Sequence, residues 1–542
     1  MLLYFERHHD SNFLTFVVIQ ICIRFSSCAH VETNFSYDPK TPSEINHDVL
    51  YREGETSQKQ STYTPRLLLV DLKGSLGYLS EVGSLYSSQS EEKQSILWYD
   101  ENIEITKEPE VPKTPFVKSL DEPSVEKPKN FEFENDVNKW VDYLVPRFHP
   151  RTVNIIKEYS QGSESQPFDI FNYGRNLWNT DSFSQDFTDN IRAYVEECDL
   201  IQGFQVLLDS TDGFAGLGSS CIQHLRDEYG KSILTFPSFD GANSQPSAAD
   251  LVKTINTVLC WQSIGEHSSL FSPLGCRNEM WPRSGNEREF SNVTYDPQIK
   301  YQTAAILATA LDTMSLRYRQ KNYPMSVLSD LCADLNKVGR KAAAMSLNLP
   351  FPMTAERDFI DILDDLEGPL WTSLTPCCDI STDKNYQSLS LRGIPEDRLK
   401  RPMKKAGKQV EKAAYRCSTV HEMMSLFLSC SCHASATHLT NITAPLGIKH
   451  PYPKIFNQNV HKNGDVADSS VGEDVQSVAV MAGLHSGDSL AKMYEFLYNQ
   501  AKKVKNIKRF HAFDNSGLEQ DEFKDCLDNL LDCKEAYEDH YV

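Results

Sequence analysis

The chain lacks a basic surplus. Its 54 lysine and arginine residues stand against 75 aspartate and glutamate residues, which gives a formal net charge of −21 over 542 residues. Binding to nucleic acid without sequence preference requires a basic footprint, so this balance argues against a nucleic-acid partner. The charge itself leaves the fold open.

Cysteine is also scarce, with 14 residues scattered along the chain. Many lie within apolar patterns, as Cys198, Cys260 and Cys332 do. The close pairs Cys377–Cys378 and Cys430–Cys432 lack a second pair at zinc-ligand spacing. We therefore expect reduced thiols of an intracellular protein, with neither a disulfide scaffold nor a metal site.

Long hydrophobic runs are missing as well. The run from Phe13 to Ile23 resembles the core of a signal peptide and is too short to span a bilayer as a helix. A buried strand and a misassembled N-terminus are the alternatives, because nothing downstream has the character of a secreted protein. We expect no integral membrane span, so that any membrane association is peripheral or partner-mediated.

What is present is an alternation of short apolar runs with helical patterns in a chain long enough for two or more domains. Helices are predicted around Asp186–Asp199, from about Leu217 to Glu228, and along a stripe that starts at Leu251. Buried strands are predicted before and between them, in Leu67–Leu72, "GFQVLLD", "SILTFP" and "HSSLFS". This order predicts an α/β fold with a parallel, doubly wound sheet.

Four further segments bear on the domain organisation. A region of about 87–138 is rich in Glu, Lys, Pro and Ser, and predicts an exposed, largely disordered insertion. Thr303–Leu316 is apolar nearly all round and predicts a buried helix between two domains. "LNLPFP" predicts a strand, and Asn457–Asp474 a mobile loop. Two apolar stripes, which start at Leu490 and Phe523, predict helices at the end of the chain.

Three spaced glycines, Gly213, Gly216 and Gly218, lie between an apolar run and a helical pattern. A strand, a glycine-rich turn and a helix form a phosphate-binding arrangement, because glycine lets backbone N–H groups approach the anion. Glycines at such a turn also serve close packing, so the pattern alone leaves both interpretations open.

The flanking residues resemble the tubulin family. "IQGF", the glycines and "DEYGK" follow one another as "LQGF", "GGGTGSG" and "DYGK" do in tubulin. "FHP" at Phe148, "NYGR" at Asn172 and "SLRY" at Ser315 resemble further tubulin motifs in the same order. A narrower resemblance, carried by "TYTPRLLLVDLKGSL", "YVEECDLIQGFQVLLDSTDGFAGLG" and "AILATALDT", is to the Misato family of tubulin-related proteins.

This resemblance implies a tubulin-like fold in several parts. They are a divergent segment at 1–36, a nucleotide-binding-type domain at 37–300, an α+β second domain at 301–455 and a helical C-terminal region at 475–542. A recognisable first strand is normal for the family, and "HHDSNFL" (His8 to Leu14) is the candidate remnant of that part.

By the same resemblance GTP is the candidate cofactor, and Asp71, Gly213, Gly216, Gly218 and Asn256 are the candidate nucleotide-binding residues. A strand-terminal cap is the alternative role for Asp71.

The nucleotide pocket departs from the tubulin pattern at several points. Asp212 and Phe214 replace glycines, Ala215 and Leu217 replace the threonine and the serine, and a carboxylate near phosphate oxygens is unfavourable. Gln298 and Gln302 fall where tubulin has a stacking tyrosine and a second base-reading asparagine.

Tubulin also has a loop that acts on the nucleotide of the neighbouring subunit, and this loop is altered here. When it is aligned to "MSVLSDL", only Asp330 keeps a carboxylate position, and Met325 and Val327 replace an asparagine and an aspartate. Because the phosphate loop and this activating loop are both altered, GTP hydrolysis is not expected. No nucleophilic triad emerges from the sequence either.

The resemblance implies a non-catalytic interaction protein in the cytoplasm and at the mitochondrial outer surface. There it would support mitochondrial distribution, morphology and inheritance through protein partners at the mitochondrial surface or in the cytoskeleton. The alternative is a GTP-binding, self-associating tubulin relative that acts as a switch or polymer. A secreted protein is a third hypothesis and depends only on Phe13–Ile23.

Overall fold

The computed structural model describes most of the chain. The described residues are 1–5, 43–55, 59, 61–79, 111–121, 131, 133–137, 139–239, 247–280, 285–321, 325–337, 339–355, 357–366, 369–381, 383, 385–399 and 413–538. The predictions for Phe13–Ile23 and for His8–Leu14 fall outside these residues.

A six-stranded parallel sheet forms the first domain, as the alternation of strands and helices predicts. Its strands, in chain order, are β1 (Leu2–Phe5), β4 (Leu67–Lys73), β5 (Val153–Ser160), β6 (Gly203–Asp209), β7 (Ser232–Ser238) and β8 (Leu270–Phe271). Their spatial order is β5-β4-β1-β6-β7-β8. Between β1 and β4 in the chain, β2 (Tyr51–Glu55) and β3 (Ser61–Pro65) form a separate two-stranded antiparallel hairpin. The doubly wound α/β prediction is therefore confirmed.

The helices that follow these strands cover one face of the sheet. They are α3 (Phe171–Trp178), α4 (Asp181–Glu196), α5 (Gly213–Tyr229) and α6 (Ala248–His267), and α1 (Pro115–Asp121) and α2 (Phe133–Asp136) precede them in the chain. Phe187, Ile191 and Tyr194 of α4 are buried at offsets of a helix face, as the periodicity predicts.

The first residues of the chain belong to this sheet, which corrects their separation as a divergent segment. Leu2–Phe5 lies at the centre, parallel to both β4 and β6, with Phe5 opposite Val70 on one side and Leu208 on the other. Four apolar residues at a chain end carry little periodicity, so the strand was not predicted from the sequence.

Part of the expected disordered insertion is ordered. α1 and α2 lie within it, and Phe116 is only 6% exposed. Its ring packs edge-on against Phe131 and Phe133 at centroid distances of 5.2 and 5.0 Å. Three phenylalanines supply apolar surface that the average composition of the segment does not reveal. Most of the rest of the insertion lies outside the described residues.

The helix α7 (Lys300–Met314) lies between two sheets and is buried along its whole length, as its uniformly apolar sequence predicts. The second sheet contains β9 (Ala344–Asn348), β10 (Thr372–Ser373), β11 (Tyr386–Arg392), β12 (Ala436–Ile442) and β15 (Val480–Ser486), in the order β10-β9-β15-β11-β12. It mixes parallel and antiparallel pairs, which confirms an α+β second domain.

Three helices, α8 (Leu328–Leu335), α9 (Phe359–Asp364) and α10 (Val420–Ser431), accompany this sheet. β13 (Leu446–Gly447) pairs with β14 (Ser477–Val478). The strand predicted in "LNLPFP" ends at Asn348, because Pro350 and Pro352 cannot donate to a ladder. The expected mobile loop Asn457–Asp474 is partly packed: Val460 is fully buried, and Asp465 accepts hydrogen bonds from Arg398.

Helices α11 (Leu490–Ala501), α12 (His511–Asn515) and α13 (Gln520–Glu538) end the described chain, as the two stripes predict. They pack on α6 of the first domain, where the Tyr494 ring lies edge-on to Trp261 at 5.7 Å. They also contact the segment before β9: the Tyr537 hydroxyl donates to Ala342 O at 2.7 Å and accepts from Ala342 N at 2.9 Å. Within the described residues, no helix combines the length and the apolar character that crossing a bilayer requires.

Candidate functional site

The candidate site lies at the carboxyl edge of the first sheet. Asp71 of β4 and Asp209 of β6 come one residue after the positions that flank Phe5 in the register. Because two strand spacings separate them, their backbones are about 10 Å apart along this edge. The edge is the usual ligand-binding position of a doubly wound sheet.

The three glycines belong to a helix rather than to a loop. α5 begins at Gly213, four residues before the predicted start, so all three glycines lie in its first turns. Asp212 is the N-cap residue, and its Oδ1 accepts a hydrogen bond from Phe214 N at 2.8 Å. A carboxylate of the chain itself thus occupies the end of the helix that would otherwise attract an anion.

Asp209 closes the turn from the strand side. Its Oδ1 accepts hydrogen bonds from Thr211 N at 2.7 Å and from Thr211 Oγ1 at 2.5 Å. Burial raises the pKa of the Asp209 carboxyl, and the two bonds from Thr211 oppose that rise. With Asp212, this places two buried carboxylates at the position expected for a phosphate, and their charge disfavours an anion there.

An aromatic side chain covers the helix start. Gly213 N donates to Phe168 O at 3.2 Å, and a Cβ added at Gly213 would lie 2.8 Å from the Phe168 ring. Phe168 in turn packs edge-on against Phe214 with centroids 5.0 Å apart, and both rings are buried. The Phe168 ring therefore fills the space beside Gly213.

Gly216 serves the crossing of two helices. A Cβ at Gly216 would lie 1.8 Å from Phe171 O, and a Cβ at Gly174 would lie 1.8 Å from Gly213 O. α3 and α5 approach each other so closely at this crossing that neither position has room for a side chain. Gly218 is also buried on α5.

Asn256, the candidate base-reading residue, is fully buried in α6 and holds three segments together. Its Oδ1 accepts from Phe171 N at 2.8 Å, and its Nδ2 donates to Asp169 O at 2.8 Å and to Thr211 O at 2.6 Å. These bonds use both side-chain amide hydrogens and one lone pair of the carbonyl oxygen. The asparagine ties the turn before α5 to the start of α3.

Asp71 is fully buried and bonded within its own domain. Its Oδ1 accepts from Leu72 N at 2.7 Å, and its Oδ2 lies 3.4 Å from the donating Nε1 of Trp140. The structure thus brings Gly213, Gly216 and Asn256 together, and places Asp71 two strands away. Nucleotide binding by these residues stays a prediction.

Gln302 and Asp330, at two further positions compared with tubulin, have structural partners as well. The Gln302 side chain donates to Glu134 Oε1 at 2.6 Å and accepts from Asp296 N at 2.7 Å. Asp330 Oδ2 accepts from Val327 N at 2.9 Å and so caps α8, where Met325 is 72% exposed. Among the described residues, no group of three or more His, Cys, Asp or Glu residues is placed to hold a metal ion.

Sequence reasoning missed Gly174, Phe168 and Asp209 as parts of this site. The signal for Gly174 was present in "NYGR", since a glycine within a helical pattern is costly and indicates a packing reason. Phe168 and Asp209 carry no such signal, because a buried phenylalanine and an aspartate at a strand end are common in any α/β domain.

The strand order, the central buried helix, the mixed second sheet and the glycine helix define a tubulin-like protein. Comparison with known families agrees: the family described as a tubulin domain matches residues 131–320, and the Misato Segment II tubulin-like domain matches residues 30–122. The chain belongs to the misato family.

Individual relatives support the assignment over nearly the full length. Protein misato of Drosophila melanogaster is 33% identical over 546 residues, covering 94% of this chain and 95% of the relative. Protein misato homolog 1 of Homo sapiens is 31% identical over 531 residues, covering 92% of each chain. Protein dml1 of Aspergillus clavatus is 30% identical over 297 residues, covering 54% of this chain and 56% of the relative.

Proposed function

We propose that this tubulin-like protein is a non-catalytic interaction protein that supports mitochondrial distribution, morphology and inheritance. It would act from the cytoplasm and the mitochondrial outer surface through protein partners. The mitochondrial part of the proposal derives from the resemblance to the Misato family. The non-catalytic part rests on the geometry around α5.

The observation that supports the non-catalytic proposal is that side chains of the protein cap and cover the start of α5. Asp212 caps the helix N-terminus, Phe168 lies on Gly213, and Asn256 bonds to three backbone groups. Phosphate binding at a helix start needs free N–H groups and space for the anion. Here both are taken by protein atoms, which favours an architectural role.

A replacement experiment in cells tests the catalytic question. The endogenous protein is depleted and replaced by wild type or by Asp330→Asn, which removes the single carboxylate retained from tubulin's activating loop. Asparagine can still accept the capping bond from Val327 N, so the fold is maintained. We expect equal rescue of mitochondrial network length and distribution at equal protein level. Loss of rescue with Asp330→Asn would mean that hydrolysis contributes.

Fractionation tests the proposed location. Purified mitochondria are treated with protease before and after rupture of the outer membrane, and the full-length protein is followed by immunoblot. We expect the mitochondrial fraction of the protein to be digested without rupture, since it would lie on the outer surface. Protection until rupture would contradict the proposal.

A further inference from the structure

The strand β5 lies at the edge of the sheet, and its outer side has no partner strand among the described residues. Its inner side pairs with β4. Leu69 N donates to Thr152 O at 2.7 Å, so residues 152, 154 and 156 direct their backbone groups toward β4. By alternation, Val153, Ile155 and Lys157 direct theirs outward.

A groove of about 430 Å³ runs along this edge beneath α4. Side-chain bonds fix its width: Asn190 Nδ2 donates to Asn154 Oδ1 at 2.9 Å, and Ser182 Oγ donates to Glu158 Oε1 at 3.1 Å. A strand beside a helix at fixed separation is the geometry that accepts an added strand.

The groove is lined mainly by polar and acidic side chains. The rings of Phe183 and Phe187 lie behind this lining, 7% and 1% exposed, and stack with centroids 5.4 Å apart. Glu158, Asp186 and Asp189 add three carboxylates to the lining, against the single cation of Lys157. Arg192 pairs with Asp189 at 2.9 Å, but both side chains are largely exposed, so that pair is weak.

These features select one kind of occupant. We propose that the groove binds an extended segment of a partner protein that adds to β5 and places lysine or arginine at alternate positions. Every second side chain of an added strand points toward α4. A long basic side chain there places its charged end among the exposed carboxylates of Glu158, Asp186 and Asp189. The inference rests on the proposed interaction role and adds the chemistry of a partner to it.

The test uses the full-length protein and a fluorescein-labelled probe peptide in which lysine alternates with valine and threonine. Binding is followed by fluorescence anisotropy, and we expect it to saturate. Two versions of the probe carry N-methyl groups on alternate backbone nitrogens. Since only one set of nitrogens faces β5, one version should lose about tenfold or more in affinity and the other less than about twofold. Equal affinities would indicate charge attraction alone and overturn the proposal.

Variants of the protein locate the binding. Ile155→Pro removes an outward N–H and leaves the ladder to β4 intact, so affinity should fall about tenfold. Asp186→Lys should lower it about threefold or more, whereas Asp525→Lys, the same charge change on exposed α13, should not. Identical effects of the two reversals would overturn the proposal, and so would an absence of saturable binding.

Hydrogen exchange examines whether the edge is free. In the unliganded protein the amides of Val153, Ile155 and Lys157 should exchange rapidly, and the probe should protect them. Slow exchange without the probe would mean that the edge is already covered by another part of the chain or by a second copy, which would also overturn the proposal. These results are independent of the mitochondrial rescue, so either proposal can fail alone.

Discussion

At the scale of single residues, Gly174 and Gly216 allow α3 and α5 to cross in backbone contact. A Cβ at either position would lie 1.8 Å from a carbonyl oxygen, which no side-chain movement can relieve. The glycines at these two positions therefore have a packing explanation that is independent of any ligand.

Substitution of Gly216 tests that explanation. Gly216→Ala should lower the free energy of unfolding by about 3 kcal/mol or more, because the helices must separate. Gly265→Ala is the matched control: it also lies within a helix, but nothing is within 4 Å of its Cβ position. It should be neutral or stabilise by up to about 1 kcal/mol. Urea denaturation measures both, and similar stabilities for the two variants would count against the crossing.

Asn256 gives a second residue-scale prediction. Asn256→Ala removes the partner of two buried backbone groups, Phe171 N and Thr211 O, and of the half-buried Asp169 O, so the free energy of unfolding should fall by about 3 kcal/mol. Asn515→Ala, at an exposed position, should change it by less than about 0.5 kcal/mol. A near-neutral Asn256→Ala would show that these bonds do not join the segments as described.

His485 introduces a pH dependence. Burial lowers its pKa from 6.5 to about 3, and its Nε2 lies 2.7 Å from Ser346 Oγ. The unfolded chain takes up a proton at this histidine near pH 6.5, and the folded chain does not. Neutral, buried His485 therefore makes its full contribution to the free energy of unfolding above pH 6.5. The free energy of unfolding should fall by about 1.4 kcal/mol per pH unit from pH 6.5 toward pH 3.

The measurement is urea denaturation of wild type and His485→Gln between pH 6.5 and 4.5. The glutamine variant should show a flatter decrease in stability, and the exposed-site control His421→Gln should follow the wild type. Parallel curves for wild type and His485→Gln would contradict the assignment.

At the scale of elements, the sequence predicts the existence of α5 and misplaces its start. The apolar pattern indicates a helix from about Leu217, because three spaced glycines favour a turn. The helix begins at Gly213, since the Asp212 cap and the contact with α3 outweigh the low helix propensity of glycine. That contact joins segments about 40 residues apart in sequence, which no local pattern reveals.

The C-terminal helix α13 buries four side chains, Phe523, Cys526, Leu530 and Tyr537, and the last of them also forms hydrogen bonds. Tyr537 bonds to both backbone groups of Ala342 and stacks against Tyr494 at 5.7 Å. Tyr537→Phe leaves those two groups without their partner, so the free energy of unfolding should fall by about 2 kcal/mol. Tyr498→Phe on α11, where the side chain is partly exposed, is the control and should be close to neutral. Equal stability of the two variants would contradict the attachment.

At the scale of the molecule, a buried ionic group joins the central helix to the second sheet. Asp312 of α7 accepts from Arg392 of β11 at 2.9 Å and from Arg319 at 2.6 Å, and all three are at most 3% exposed. The two guanidinium groups share a single carboxylate of α7, so the second sheet and the central helix are joined by charge as well as by packing.

Removing that carboxylate should be costly. Asp312→Asn leaves two buried guanidinium groups without it, so the free energy of unfolding should decrease by about 3 to 5 kcal/mol. Asp521→Asn, in an exposed pair with Lys524, should be close to neutral. Thermal unfolding followed by circular dichroism distinguishes the two, and a mild effect of Asp312→Asn would contradict the joining role.

The overall architecture was largely predictable, because strand–helix alternation and the tubulin-like motifs lie in continuous stretches of sequence. The ordered part of the insertion and the strand at Leu2–Phe5 were not, since their stability depends on distant partners. Phe133 packs on Tyr301 at 5.7 Å, and Leu3 is fully buried between β4 and β6. The candidate site follows the same rule: the glycines are visible in the sequence, but the residues that fill the space around them are not.

The central claim is that side chains of the protein fill the candidate nucleotide-binding position at the start of α5. The direct measurement is a calorimetric titration of purified, nucleotide-stripped full-length protein with GTP, with ATP as the control. The account predicts no saturable binding at millimolar GTP from folded protein and no nucleotide in the native extract. GTP-selective, saturable binding that weakens in folded Asn256→Ala would contradict it and would make the GTP-binding switch the better description.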